Sequence, residues 1–198
     1  MPRTKEQNKE IRDKTKKLIL DSALKLFAEK GFQTTSMSDI AELAGVSKGL
    51  AYNYFDSKQH LVEEIFKNFM SVFAELYLPA QEEQDPYIRL EKYTDITFRW
   101  LKDGFDFWRM IFALWLQPGV FERSTEFMTD FFSEVFTEIE KIFKEIGMPD
   151  YIAESRIYGA LLDGISMEYI LDKDNYPIDI VVASMKSKYS REVLENSK

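Results

Sequence analysis

Apolar residues recur every three or four positions along almost the whole chain, the spacing of amphipathic helices, and no run of alternating β-branched residues breaks the pattern. The first helix is expected over 5–30, with Ile11, Leu18, Ile19, Ala23, Leu26 and Phe27 on one stripe. Thr4 with Gln7 three residues later predicts a capping box at its start, and Gly31 a stop. Thr34-Thr35-Ser36 caps a short helix that runs through Leu43 and ends at Gly45. Ser47 opens a second short helix ending near Phe55. Asp56-Ser57 then caps a long helix over 58–78, whose buried stripe is Leu61, Ile65, Phe69, Val72, Phe73 and Leu76. Pro79 and Pro86 bracket a polar connection, QEEQD, read as the seam between two lobes. Further helices are expected over 86–103, 105–117, 123–146, 151–171 and 178–190. The fold class is all-α, about nine helices in all, with no internal repeat.

Two very short helices between longer ones suggest a helix-turn-helix. Ala41 is small where the two short helices approach, and Gly45 suits a left-handed turn. Ile40 and Val46 are apolar where the turn packs inward. Ala51 and Phe55, four apart, give the second short helix its inner face. That leaves Ser47, Lys48, Gly49, Leu50, Tyr52, Asn53 and Tyr54 at its outer face and leading edge. Lys48 suits guanine or a phosphate, the two tyrosine hydroxyls suit phosphate oxygens, and Leu50 suits only an apolar partner such as a thymine methyl. Lys58, in the first turn of the next helix, is a further phosphate candidate. From these residues alone, a DNA-reading surface and a plain glycine-turned helical hairpin both remain open.

Charge sharpens the contrast between the two parts of the chain. The net charge is −8, yet residues 1–60 hold eleven Lys/Arg against eight Asp/Glu, and the remainder holds fifteen against twenty-six. Affinity for nucleic acid depends on a local basic patch, so the acidic total does not exclude it. Arg3, Lys5, Lys9 and Arg12 precede the motif as a basic arm. It reads either as a solvated, frayed helix end or as a contact to phosphates or an adjacent minor groove.

With 45% hydrophobic residues the chain can build a sizeable core. Without cysteine it has no disulfide and no thiolate metal site, which predicts a reducing, cytoplasmic setting. The amino terminus lacks the apolar stretch of a secretory signal, and no apolar run approaches the roughly 18 residues of a membrane span, so no membrane partner is expected. His60 is the single histidine and lies in a charged helix start. No Ser-His-Asp set, metal triad or phosphate-binding glycine loop is present. Catalysis, metal and cofactor are therefore not expected.

The segment ALKLFAEKGFQTTSMSDIAELAGVSKGLAYNYFDSKQHL closely resembles the amino-terminal DNA-binding domain of TetR/AcrR-family transcriptional regulators, through LF, GF, TS, DIA, AGVSKG, YF and K spaced over some forty residues. The resemblance implies an all-α homodimer with an amino-terminal three-helix DNA-binding domain and a larger, divergent helical domain for ligand binding and dimerisation. The expected boundaries are 1–60 and 61–198, linked through helix 58–78. By position, the DNA contacts it implies are Ser36, Met37, Ser38, Ser47, Lys48, Gly49, Leu50, Tyr52, Asn53, Tyr54 and Lys58. Three departures stand out. Leu50 replaces a position commonly Thr or another small residue. Ala51 is smaller than the usual Leu or Ile, leaving open whether Leu50 swings inward. Met37 stands where a hydroxyl residue is frequent.

Thirteen of the twenty-nine aromatic residues lie between Phe98 and Phe143. They read as core or as walls of a cavity for a flat or apolar ligand, with Trp108, Phe112, Trp115 and Phe132 as the candidate walls. In IYGALLDGISMEYIL (157–171), Ala160 and Gly164 leave one helix face nearly bare. The resemblance implies that the last two helices pair with those of a second copy. Tyr158, Ala160, Leu161, Leu162, Gly164, Ile165, Tyr169, Ile178, Val182 and Met185 are the candidates for that interface or its buried side. The functional expectation is a ligand-responsive regulator, a repressor, binding a palindromic double-stranded DNA operator as a homodimer and released by a small apolar or aromatic effector. The alternative is an activator or a helical protein-interaction module without an effector.

Overall fold

A computed structural model describes residues 4–118 and 120–197, the side chains of 121–128 and 132 excepted. Among the described residues the regular structure is entirely helical: α1 (Lys5–Lys30), α2 (Met37–Leu43), α3 (Lys48–Tyr54), α4 (Lys58–Gln81), α5 (Pro86–Asp103), α6 (Phe105–Trp115), α7 (Phe121–Ile146), α8 (Tyr151–Leu171), α9 (Ile178–Lys188) and α10 (Arg191–Glu195). Nine match the periodicity of the sequence, and α10 is a five-residue addition at the end of the described chain.

The chain forms two compact units. The first takes residues 1–71 and 109–125, the second 72–108 and 126–198. Relative to the expected boundary at 60/61, the first unit runs a further eleven residues into α4 and also takes in the end of α6 with the connection that follows. The Pro79–Pro86 stretch is not the seam. Pro79 sits inside α4, two residues before its last residue and exposed to solvent, where its missing N–H forgoes a single bond, to the Glu75 carbonyl, in the final turn. Pro86 is the first residue of α5, behind the Asp85 cap that accepts from Tyr87 N–H at 3.0 Å.

In the first unit, α2 packs on α1 and α3. Ile19, Ala23, Phe27, Ile40, Ala51, Phe55, Leu61 and Phe66 are fully buried. The expected stripe on α1 holds only from Ile19 onward, because Ile11 and Leu18 are exposed. Ile11 lies in the turns from Thr4 to Lys14 that are exposed all round, whereas Leu18, beside the fully buried Ile19, falls on the outer face of the helix.

In the second unit, α5 packs on α8 and α9, and α8 on α9. Its core includes Tyr77, Leu90, Tyr93, Phe98, Leu101, Ile142, Phe143 and Tyr158. On α4 the buried positions there are Tyr77 and Ala80, whereas Val72 and Leu76, expected inside, are exposed. Gly159 allows a close approach: a Cβ on it would meet the Phe136 ring at 2.7 Å, so the ring would have to shift. Tyr158 is buried completely, with its hydroxyl shared between Thr94 Oγ1 at 2.7 Å and the Leu90 carbonyl at 3.0 Å. Burial pushes its ionisation well above the usual tyrosine range.

Candidate nucleic-acid interface

Each short helix of the motif is defined by its cap. At α2 the Ser36 hydroxyl accepts the Asp39 N–H at 3.2 Å, and the Asp39 carboxylate accepts the Ser36 N–H at 2.8 Å, a reciprocal capping box. The hydrogen bonds from the Ser36 hydroxyl and backbone hold the Asp39 carboxyl below its ordinary range. At the turn, Gly45 has φ +68°, a left-handed conformation that strains any side chain, and the Val46 N–H returns to the Ala41 carbonyl at 3.0 Å. Ser47 then caps α3 by accepting the Leu50 N–H at 3.1 Å. After α3, Ser57 accepts the His60 N–H at 3.1 Å, and the His60 imidazole nitrogen accepts the Asp56 N–H at 3.3 Å. The single histidine is thus part of the α4 cap and packs edge-on against Phe55.

The inner face of α3 is Ala51, fully buried, with Phe55 behind it. Lys48, Gly49, Leu50, Tyr52 and Asn53 are exposed, and Tyr54 is half-buried. Leu50 stays outside at 38% exposure, so it does not swing inward to make up for the small Ala51. Nothing lies within 4 Å of where a Cβ on Gly49 would stand. Ser36 and Ser38 are exposed beside them. Met37 differs from expectation: its side chain is buried in the core, because the first turn of α2 points that position inward.

Lys58 has a use with no signature in the sequence. Its ammonium donates to the Phe32 carbonyl at 2.6 Å and the Gln33 carbonyl at 3.3 Å, and lies 4.7 Å from the Phe32 ring centre. Partial burial lowers its pKa. The same loop is also held by Gln117, which bonds the Phe32 N–H and the Phe27 carbonyl and is another residue that sequence reasoning missed. These two partners lie 85 and 90 residues away, and an isolated Gln carries no pattern. Arg12 of α1 stacks its guanidinium 5.8 Å from the Tyr54 ring centre. Lys16 pairs with Glu64 at 2.6 Å, which lowers the Glu64 carboxyl below its usual value.

The aromatic residues divide between the units. Trp108 belongs to the second, where Trp100 meets it at 4.7 Å between ring centres and also approaches Phe73. Phe73 stacks on Tyr77 at 4.0 Å and meets Phe131 edge-on at 5.0 Å. Phe112 and Trp115 belong to the first unit and pack on one another. The expected four-residue wall therefore does not form within one unit, and the Phe132 side chain lies outside the described residues.

On the last helices the inward residues are Tyr158, Ile165, Tyr169, Ile178 and Met185, all buried in their own unit, with Leu162 and Val182 half-buried. Those five therefore fall on the buried side of the two helices rather than on their outer face. Ala160, Leu161 and Gly164 face solvent, joined by Ala153, Ile157 and Leu171 on α8 and by Ile180, Ala183 and Ser184 on α9. Ile157 is 51% and Ile180 73% exposed. Among the described residues no group of acidic or histidine side chains is arranged to hold a metal ion. No helix there is long and apolar enough to cross a membrane.

Residues 19–65 match the profile described as "Bacterial regulatory proteins, tetR family". Over 52 residues the chain is 46% identical to the HTH-type transcriptional repressor KstR2 of Rhodococcus jostii, a match covering 26% of each protein. Over 75 residues it is 39% identical to the HTH-type transcriptional regulator AcrR of Shigella flexneri, covering 38% of this chain and 35% of the relative. These matches thus span about a quarter to a third of the curated relatives. The fold is similar to that of the regulator FadR from Bacillus subtilis in complex with stearoyl-CoA, with a TM-score of 0.72 at 19% identity, covering 87% of this chain and 96% of that one.

Proposed function

We infer from the match over residues 19–65 that the chain is a member of the TetR/AcrR family of transcriptional regulators, and propose that it is a repressor that binds a palindromic operator as a homodimer and leaves it when a small apolar effector binds. The observation that carries the reading is the surface of α3. Lys48, Gly49, Leu50, Tyr52 and Asn53 stand exposed on a helix whose other face, at Ala51, is fully buried, in a unit with fourteen Lys/Arg against eleven Asp/Glu. Such a helix enters a major groove. Lys48 meets a phosphate or a guanine edge, Gly49 lets the backbone approach, and Leu50 packs on a thymine methyl. Tyr52, Asn53, Tyr54, Ser36, Ser38 and Ser47 supply further polar contacts. Lys58 supports the surface through the loop it holds.

The exposed apolar stripe on α8 and α9 supports two-fold pairing, since single copies rarely leave so many aliphatic side chains aligned in water. A dimer presents two α3 helices to half-sites about 34–36 Å apart. The half-buried rings of Phe73, Trp100, Trp108 and Phe131 in the second unit support an effector with an apolar chain or ring system. A fold neighbour crystallised with stearoyl-CoA makes a long-chain acyl thioester the first probe. The effector acts by its differential affinity for two arrangements of the dimer, on the order of 1–3 kcal/mol. α4, which begins in one unit and ends in the other, carries the change. The site of action is the cytoplasm, where the chromosome lies, and no membrane partner takes part.

The test is selection of duplexes from a randomised pool by the full chain. Recovery of a palindrome, bound by a particle of twice the monomer mass and released by an acyl thioester, is the expected result. Failure to enrich any sequence would overturn the operator reading.

A further inference from the structure

Along α1, Lys5, Lys9, Arg12, Lys16, Ile19, Ala23 and Leu26 follow one another at alternating steps of four and three, so they share one face of the helix. From Ile19 onward that face is the buried face of the unit. Before Ile19 the same face is cationic. The switch from apolar to basic falls where α1 leaves the rest of the unit, and all positions from Thr4 to Lys14 are exposed. Two contacts fix where the basic stripe points. The Arg12 guanidinium lies 5.8 Å from the ring centre of Tyr54, and Lys16 Nζ lies 6.0 Å from that of Phe55, residues that end α3 and follow it. The stripe therefore continues from the carboxyl end of α3. Lys5 stands about 10 Å beyond Arg12 at 1.5 Å of rise per residue.

Charge is sorted around this helix. Glu6, Glu10 and Asp13 form their own stripe, turned roughly 100° from the basic one. Among the described residues Lys5, Lys9 and Arg12 have no carboxylate within ion-pair distance, whereas Lys16 is bound to Glu64. The projecting turns are held as helix by the reciprocal cap of Thr4 and Gln7, at 3.0 and 3.2 Å. A capped helical segment with three cations free of carboxylate partners on the side that adjoins α3, and its acidic residues turned away, is complementary to a polyanion running past the end of that helix.

We propose that the first two and a half turns of α1 form a second DNA-contacting surface, in which Lys5, Lys9 and Arg12 meet phosphates of the duplex flanking the half-site that α3 reads. This rests on the operator reading above. The contacts are to backbone phosphates, so they add affinity and salt dependence without choosing bases. Arg12 also orders Tyr54 against the same strand.

The test compares the full chain with a K5Q/K9Q/R12Q variant, glutamine being close to lysine and arginine in helix propensity. The probe is the duplex that the unaltered chain selects from a randomised pool, made with long and with short flanks. On the long duplex the variant should show a salt-dependence slope shallower by about one unit for each cation that meets a phosphate, about six for a dimer at most, with unchanged base preference. On the short duplex the two proteins should differ much less. Equal slopes on the long duplex overturn the inference while leaving the operator reading intact. A change of particle mass with no change of slope assigns the stripe to contact between copies and overturns it too. If the unaltered chain selects no duplex, the operator reading falls and takes this inference with it. Unchanged far-ultraviolet circular dichroism of the variant confirms that the segment has not melted.

Discussion

Gln117 brackets the turn at Phe32. Its side-chain oxygen accepts the Phe32 N–H at 2.5 Å, while its nitrogen donates to the Phe27 carbonyl at 2.6 Å and the Ala113 carbonyl at 3.2 Å. One side chain thereby satisfies backbone groups at the end of α1 and at the end of α6, within a single unit. Gln117→Ala leaves the Phe32 N–H without its acceptor and should lower stability by about 2 kcal/mol, read from urea unfolding. Amide exchange at Phe32 should quicken more than exchange at Ile40. Equal exchange at both would remove the bracket as the cause.

Lys48 and Lys58 should fail in different ways. Lys48 is exposed, so Lys48→Ala should flatten the salt dependence of DNA binding by about one unit per subunit and leave stability within about 0.5 kcal/mol. Lys58 is bound to two carbonyls, so Lys58→Ala should cost about 1–3 kcal/mol of stability, with little change in slope. Paired urea and salt titrations separate the two. A stable Lys58→Ala with a flattened slope would instead make Lys58 a phosphate contact.

Leu50 stands in water on a helix whose inner face is complete without it. Leu50→Thr should therefore leave the melting temperature nearly unchanged and alter which duplexes are selected. Selection of the same sequence by both proteins would show that Leu50 reads no base.

The stripe through Ala160, Leu161 and Gly164 should be sensitive to charge. Leu161→Glu, and separately Ile180→Lys, should halve the particle mass in gel filtration without loss of helix signal. Tyr158→Phe should not change the mass, because Tyr158 is internal; it should lower stability by about 1–2 kcal/mol through the lost bond to the Leu90 carbonyl.

Glu64 predicts an acid limb. Its carboxyl lies below the usual 4.5 because Lys16, and secondarily Lys67, donate to it. A carboxylate with a depressed folded-state pKa stabilises the protein above its unfolded value and ceases to do so as the pH falls through the folded value. Stability should therefore be flat in this respect above about pH 5 and decline below 4.5. Glu64→Gln should lose about 1 kcal/mol at neutral pH and reduce that decline. An acid limb of equal depth in the variant would remove Glu64 as its source.

Helix order was legible in the sequence because helices are specified locally. A period of 3.6, a cap three residues from its partner and a glycine at a left-handed turn need no distant residue. Hence Thr4–Gln7, Gly45 and Ser47 stand as expected. The α3 surface was legible for the same reason, since Ala51 and Phe55 could only be its inner side. Met37 was not, because the resemblance marked its position without marking which way its side chain turns.

What only the tertiary structure decided is which of two equivalent faces is covered, and by what. α8 is apolar nearly all round, so 158/162/165/169 and 157/160/161/164 are both acceptable stripes. The neighbours α5 and α9 select the first and leave the second in water. The same holds for Ile11 and Leu18, periodic with the core yet outside it, and for Lys58 and Gln117, whose partners lie 26 and 85 residues away. The sequence by itself determined the helices, their caps and the reading motif. Packing decided which side chains became core, which became surface, and which hold the motif in place, because burial depends on neighbours that local periodicity does not encode.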